Sequence, residues 1–234
     1  MSYRAVFFDA GETLVHPHPS FLELFQSILE REGHRVELNT LIGGLSVVSD
    51  RFAMMAKTGQ IWSNSAERSR VFWLGVYGDL LERVGVRDTD GLADVLYRAF
   101  TDLDNYRLFP DVERTLEKLQ TAGLRLGLVS NFEQWLDLLL ERLGVTAYFE
   151  TRVISGVEGI EKPDERIFRL ALDRTGMQAD DSVYVGDNPV FDTQPAEAIG
   201  MLGVLLDRRG RYPEHAGIRI ATLDELPAAI GLQG

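Results

Sequence analysis

Asp9, Ser130-Asn131 and Asp187 each close an apolar run of the sequence, YRAVFF, LRLGLV and SVYVG respectively. Uninterrupted runs of that length suit strands buried on both faces, so each polar group is expected where a strand runs out. Lys162 lies in the loop GIEKPD, and Asp192 stands five residues after Asp187. Two carboxylates at neighbouring strand ends attract a hard cation, and Mg2+ is ordinarily held by one or two carboxylates with water and a phosphate oxygen. Asp192, at the start of a helix, is within reach of the same ion or its waters. A lysine facing a Ser-Asn pair supplies the charge and the donors that bind a phosphoryl group. With a cation to lower the repulsion between two anions, Asp9 is placed to attack phosphorus and form an aspartyl-phosphate. Thr13 offers a hydroxyl beyond the turn Ala10-Gly11-Glu12 and is counted with Ser130, Asn131 and Lys162 as substrate-binding.

The elements that must position these groups follow from periodicity. After Asp9 comes the turn His16-Pro17-His18-Pro19-Ser20, with Ser20 as helix cap, and then FLELFQSILEREG with apolar residues at helical spacing. Three further helical segments follow: ELNTLIGGLSVVSDRFAMMAK, SAERSRVFWLGVYGDLLERVG and DTDGLADVLYRAFTDLDNY. No strand interrupts them, so residues 16–106 are expected to form a separate helical unit of about four helices. Within it, Phe52, Trp62, Phe72, Trp73 and Tyr77 recur at spacings that fit helix packing. From Phe109 onward helices and short strands alternate, through LRLGLVS, YFETRVIS, DSVYVGD and LGVLL. That alternation predicts an α/β fold, a Rossmann-like doubly wound parallel sheet built from residues 1–15 and 107–234 with the helical unit inserted after its first strand. Ligands of such sheets bind beyond the carboxyl ends of the strands, where the strand order switches direction.

Composition narrows the function classes. The 234 residues include no cysteine, which excludes disulfides, thiol catalysis and cysteine metal sites. A net charge of −12 argues against nucleic acid or an anionic membrane as partner. Only three lysines occur, Lys57, Lys118 and Lys162. Asp9 interrupts the only apolar stretch near the N-terminus, so neither a signal peptide nor a membrane span is expected, and a cytoplasmic location is.

Taken together, Asp9 with Thr13 and Leu14, Ser130-Asn131, Lys162-Pro163-Asp164 and Gly186-Asp187 with Asp192 resemble the four ordered motifs of the haloacid dehalogenase-like (HAD) hydrolase superfamily. The segments LFPDVERTLEKL, LVSNF and VGDNPVFD most resemble its phosphatase-like branch, which carries a helical cap after the first strand. The resemblance spans nearly the whole chain. It implies Asp9 as nucleophile, Ser130 and Lys162 as phosphate binders, and an Mg2+ site at Asp9, Asp187, Asp192 and the backbone carbonyl of Gly11.

One position departs from that pattern. Family phosphatases carry a second aspartate two residues after the nucleophile, which protonates the leaving oxygen and later activates water; here that position is Gly11. Losing positioned acid–base help costs about 10²–10⁴ in rate. Glu12, His16, His18 and water are the candidate replacements. Three reactions accommodate the gap. A phosphatase would manage on esters with good leaving groups, such as acyl or aryl phosphates. A 2-haloacid dehalogenase also lacks the second aspartate but uses no metal, so the retained Gly-Asp-…-Asp motif counts against it. A phosphonatase-like hydrolase would recruit a cap lysine as Schiff base, and Lys57 is the only lysine of the helical unit. A non-catalytic member that only holds a phosphorylated ligand is a fourth reading, against which an acyl-forming nucleophile counts. The expected function is an Mg2+-dependent phosphatase for a small phosphorylated metabolite, with weak or leaving-group-dependent turnover.

Overall fold

The computed structural model describes residues 3–232. Its strands are β1 (Ala5–Phe8), β2 (Val15–Pro17), β3 (Tyr106–Leu108), β4 (Arg125–Ser130), β5 (Thr151–Ile154), β6 (Ser182–Gly186), β7 (Leu202–Leu206) and β8 (Ile218–Ile220). Six of them form one sheet in the order β5-β4-β1-β6-β7-β8, with every neighbouring pair parallel. β1 reads as a continuous apolar run because both of its faces are covered. Val6 and Phe8 join a cluster with Leu116, Leu128, Leu139 and Val185 on one face. Ala5 and Phe7 join Val153, Phe168, Leu172 and Tyr184 on the other.

Between β2 and β3 lie five helices: α1 (Phe21–Arg31), α2 (Leu38–Gly44), α3 (Ser46–Thr58), α4 (Ala66–Arg83) and α5 (Leu92–Phe100). They enclose a hydrophobic cluster of their own around Phe25, Leu29, Leu41, Val76, Leu80 and Leu96. Ser20 caps α1, its hydroxyl accepting the Glu23 N–H at 3.2 Å. The expected single helix over residues 37–57 is two helices that meet at Leu45. Gly43-Gly44 weakens the helix there, and the missing side chain of Gly44 lets α2 press on α4: a Cβ would lie 2.7 Å from Leu80 Cδ1. A second difference is the two-stranded antiparallel ribbon of β2 and β3, in which His16 and Arg107 are register partners. It brings the entry to and exit from the helical unit side by side. Three-residue strands, one of them carrying Pro17, leave no alternation to read.

The remaining helices, α6 (Val112–Thr121), α7 (Leu136–Arg142), α8 (Ser155–Glu158), α9 (Glu165–Thr175), α10 (Gln194–Ala198) and α11 (Leu226–Ala229), connect or follow the strands of the sheet. A π-helical turn over Pro189–Thr193 precedes α10. β4 and β5 lie to one side of β1, β6 to β8 to the other, so the strand order reverses at β1, and its carboxyl end opens onto the switch point. Among the described residues no helix is long and apolar enough to cross a membrane.

Candidate active site

Asp9 leaves β1 at that switch point and is almost fully buried. Its Oδ1 accepts hydrogen bonds from Ser130 Oγ at 3.0 Å and from Lys162 Nζ at 2.7 Å. Ser130 ends β4, the parallel neighbour of β1; the register sets Phe8 beside Leu128, and Ser130, two residues on, has its hydroxyl within reach of Asp9. Lys162 comes from the loop between α8 and α9, and its ammonium also donates to Asp192 Oδ1 at 2.5 Å and to the Tyr184 hydroxyl at 3.0 Å. Those three contacts use all three ammonium protons. Burial works against the charge on Lys162, but the carboxylates of Asp192 and Asp9 outweigh it and hold the group well above the usual lysine range.

Gly186 ends β6 for a steric reason: a Cβ there would lie 2.3 Å from Asp192 Cγ. Its absence lets the Asp192 carboxyl fold back against the strand, where Oδ2 accepts the Asn188 N–H at 2.9 Å. Asp187, next in the chain, keeps 19 % of its side-chain surface and pairs with Arg211 at 2.7 Å. Carboxylate oxygens of Asp9, Asp187 and Asp192 all lie within 4.8 Å of one another, the one such acidic group of three among the described residues. Packing, then the charges of Asp192 and Asp9, push the Asp187 carboxyl up to about 7, with Arg211 opposing. Three carboxylates of hard oxygen donors, crowded enough that one is reluctant to ionise, fit Mg2+ by donor type and by charge.

This crowding gives a signed prediction. Without a cation, holding Asp187 ionised costs stability, a cost absent below the ordinary carboxylate range and fully felt above about 7. Below that value a proton occupies the oxygen a cation needs, weakening apparent affinity about tenfold per pH unit. The gain in melting temperature from a fixed, non-saturating Mg2+ concentration should therefore be larger near pH 8 than near pH 6. Equal gains at both would remove Asp187 from the cation site.

Other expected residues take different positions. The Asn131 side chain is engaged by the lysine loop: Nδ2 donates to the Lys162 carbonyl at 2.8 Å and Oδ1 accepts the Lys162 N–H at 2.7 Å. It fixes the lysine's backbone. Thr13 is fully buried, its hydroxyl has no partner among the described residues, and its carbonyl accepts Arg208 Nη2 at 3.0 Å. Arg208 also makes a two-pronged contact with Asp111 at 2.7 and 2.8 Å, pinning the turn after β1 to the start of α6. Glu12 adopts φ 57° and pairs with Arg209 at 2.6 Å. His16 packs on Phe109 with ring centroids 4.4 Å apart, and His18 is exposed. Neither histidine hydrogen-bonds a site carboxylate among the described residues. Lys57, the one lysine of the helical unit, is exposed at the last turn of α3, where its charge suits the helix dipole. The aromatic residues of the helical unit do pack together, Phe52, Trp62, Phe72 and Trp73 within 6.3 Å of one another, and Phe52 reaches Phe191 beside Asp192 at 6.2 Å.

Two residues of the site carried no signal in the order of the motifs. Tyr184 sits in β6 with its hydroxyl donating to the Val129 carbonyl at 2.7 Å, and Arg211 arrives from the loop after β7. The signal that could have found Tyr184 is its polar tip between the two valines of SVYVG. Arg211 was one arginine among many.

Residues 3–200 match the family model of haloacid dehalogenase-like hydrolases. The chain is 35% identical over 212 residues to human haloacid dehalogenase-like hydrolase domain-containing protein 3, covering 88% of this chain and 82% of that protein. It is 32% identical over 218 residues to the glyceraldehyde 3-phosphate phosphatase of Methanopyrus kandleri, covering 90% and 86%. Among solved structures, the magnesium-bound putative HAD-hydrolase YfnB of Bacillus subtilis matches over 98% of this chain and 99% of that one, with a TM-score of 0.80 at 15% identity. That last likeness is one of fold.

Proposed function

Because this chain belongs to the haloacid dehalogenase-like hydrolase family, we propose that it is an Mg2+-dependent phosphatase that cleaves small phosphorylated metabolites through an aspartyl-phosphate at Asp9. The observation that carries the reading is the meeting of Asp9, Ser130, Lys162 and the Asp187–Asp192 pair, from four separate segments, at the switch point of the sheet. The Methanopyrus relative named as a phosphatase supports the substrate class. Asp9, Asp187, Asp192 and the Gly11 carbonyl would hold Mg2+, which when bound supplies charge neutralisation for the nucleophile and the phosphoryl group.

The protein's own groups do the rest. Ser130 and Lys162 both hold Asp9 Oδ1 and so fix the plane of the carboxylate. Oδ2 accepts no hydrogen bond from the described residues and is the freer oxygen to attack. Attack forms an oxygen–phosphorus bond while the ester oxygen departs with its electron pair. Water then attacks the same phosphorus, releasing phosphate and restoring Asp9. Charge that builds on the phosphoryl oxygens is met by the ammonium charge of Lys162, and the Ser130 hydroxyl would reach them by turning its proton away from Asp9 Oδ1.

The leaving oxygen finds no positioned acid. Where a Cβ would extend from Gly11, the only atom within 4 Å among the described residues, its two chain neighbours aside, is Cε2 of the Phe132 ring, at 3.9 Å. Glu12 is engaged by Arg209, and the histidines face elsewhere. An oxygen leaving without a proton departs as an anion, so the rate follows its acidity. Hydrolysis with Mg2+ should therefore be measurable for acetyl phosphate and p-nitrophenyl phosphate and fall steeply along a series of aryl phosphates of rising phenol pKa. A flat series would mean that an acid is in place. Absence of Mg2+-dependent turnover on all of them would sink the phosphatase reading. Displacement at carbon, the reaction of a 2-haloacid dehalogenase, has no work for a trio of cation-binding carboxylates, and pure ligand binding has none for an attacking Asp9.

A further inference from the structure

We propose that Ser63, in the connection between α3 and α4, is a positioning residue that sets the spacing of the two loops carrying Ser130 and Lys162. The assignment rests on the phosphatase reading in that those loops are taken to grip the phosphoryl group. Ser63 is fully buried, although it belongs to the helical unit and reaches into the sheet domain. Its N–H donates to Glu161 Oε2 at 2.5 Å and its hydroxyl to the same oxygen at 2.8 Å. The Trp62 N–H adds contacts of 3.0 and 3.1 Å to the two oxygens of that carboxylate. Glu161 is the residue before Lys162.

The same serine reaches the other loop. Ser155 Oγ lies 2.8 Å from Ser63 Oγ and 3.0 Å from the Ser63 carbonyl, and it accepts the Phe132 N–H at 3.0 Å. With the Ser63 proton directed to the carboxylate, Ser155 donates to Ser63, and the chain Phe132–Ser155–Ser63–Glu161 is satisfied throughout. Phe132 follows Ser130-Asn131. One buried residue of the helical unit thus ties the segment 130–132 to the segment 161–162. The closure is strong because of Glu161: it is buried, and among the described residues no cation pairs with it and every hydrogen bond to its carboxylate comes from Trp62 and Ser63. Without those donors a carboxyl group buried there would be left with no hydrogen-bond partner. A second contact acts on the same side, with Ser69 Oγ and the Tyr97 hydroxyl donating to the buried carboxylate of Glu133 at 2.8 and 3.0 Å.

Two amides report the effect directly. The Lys162 N–H is held by Asn131 Oδ1, and the Phe132 N–H by Ser155 Oγ. The test is hydrogen–deuterium exchange and p-nitrophenyl phosphate kinetics on the full-length protein as wild type, Ser63→Ala, Glu161→Gln, their double variant and Asn64→Ala. Asn64 Nδ2 reaches the Gly159 carbonyl at 3.1 Å from a half-buried position, outside the chain of hydroxyls. Ser63→Ala should quicken exchange in both loops, leave the sheet strands protected, and lower kcat about tenfold with KM little changed, because misplaced groups lose transition-state contacts first. Glu161→Gln should do the same, the double variant should be no worse than the poorer single one, and Asn64→Ala should behave as wild type. Faster exchange confined to residues 59–65, additive effects in the double variant, or a rise in KM at unchanged kcat would overturn the proposal. If the wild type shows no turnover, the phosphatase reading falls, while the exchange pattern of the two loops still decides the role of Ser63.

Discussion

Asp9→Asn should abolish Mg2+-dependent hydrolysis of p-nitrophenyl phosphate and leave a folded protein. Asparagine matches aspartate in size, so the buried pocket is not opened, and its carbonyl oxygen can still accept from Ser130 and Lys162. The amide, however, is no nucleophile toward phosphorus. Losing the covalent route should cost at least about 10⁴ in kcat, on the order of 5 kcal/mol of barrier. Fold loss is not the explanation to expect, because the substitution also removes one charge from a site where three carboxylates crowd within 4.8 Å. Asp9 is one of the charges that push Asp187 up, so without it Asp187 ionises more readily. Lys162 keeps Asp192 at 2.5 Å as its counter-ion. Steady-state rates with and without Mg2+, beside melting curves of both proteins, make the comparison. A variant that melts like wild type and is inactive supports Asp9 as nucleophile; equal residual rates in both would place the hydrolysis elsewhere.

What the sequence disclosed and what it hid divide along a physical line. β1 was legible because a strand covered on both faces must be apolar throughout, and Asp9 was legible because a carboxylate cannot sit in that run, only at its end. The same logic exposed Ser130 and Asp187. Asn131 was visible as a polar neighbour of Ser130, but its work on the Lys162 backbone depends on how two distant loops meet, 31 residues apart in the chain. Arg211 and Asp187 are 24 residues apart, and Glu161 and Ser63 are 98. No local pattern marks such pairs, since any arginine or glutamate of a loop satisfies its own segment equally well. The break between α2 and α3 lies between these cases: Gly43-Gly44 was present in the sequence, and only the close approach of Leu80 explains why the chain uses it.

Gly11→Asp should raise kcat/KM for phosphate esters of poor leaving groups by about 10²–10⁴, and much less for p-nitrophenyl phosphate. The backbone permits it: Gly11 is not among the glycines with left-handed φ, whereas Glu12 beside it has φ 57°. The space permits it as well, because the nearest atom to a new Cβ is Phe132 Cε2, at an ordinary contact distance of 3.9 Å. A carboxyl there would enter a site already crowded with Asp9, Asp187 and Asp192, and the like charges would raise its pKa. A raised pKa is what a general acid needs near neutral pH, so the crowding that costs stability also prepares the group for its task. The variant should therefore melt lower than wild type without Mg2+ and recover most of the difference with it. The leaving-group series separates this from a general gain in activity, since proton donation flattens the dependence on phenol pKa while better binding shifts every member equally. If the slope stays steep and alkyl phosphates remain inert although Asp9→Asn removes all turnover, the new carboxyl does not reach the leaving oxygen. Phe132, whose ring lies 3.9 Å from that Cβ, would then be the group that turns it aside, and Gly11→Asp combined with Phe132→Ala should restore the gain.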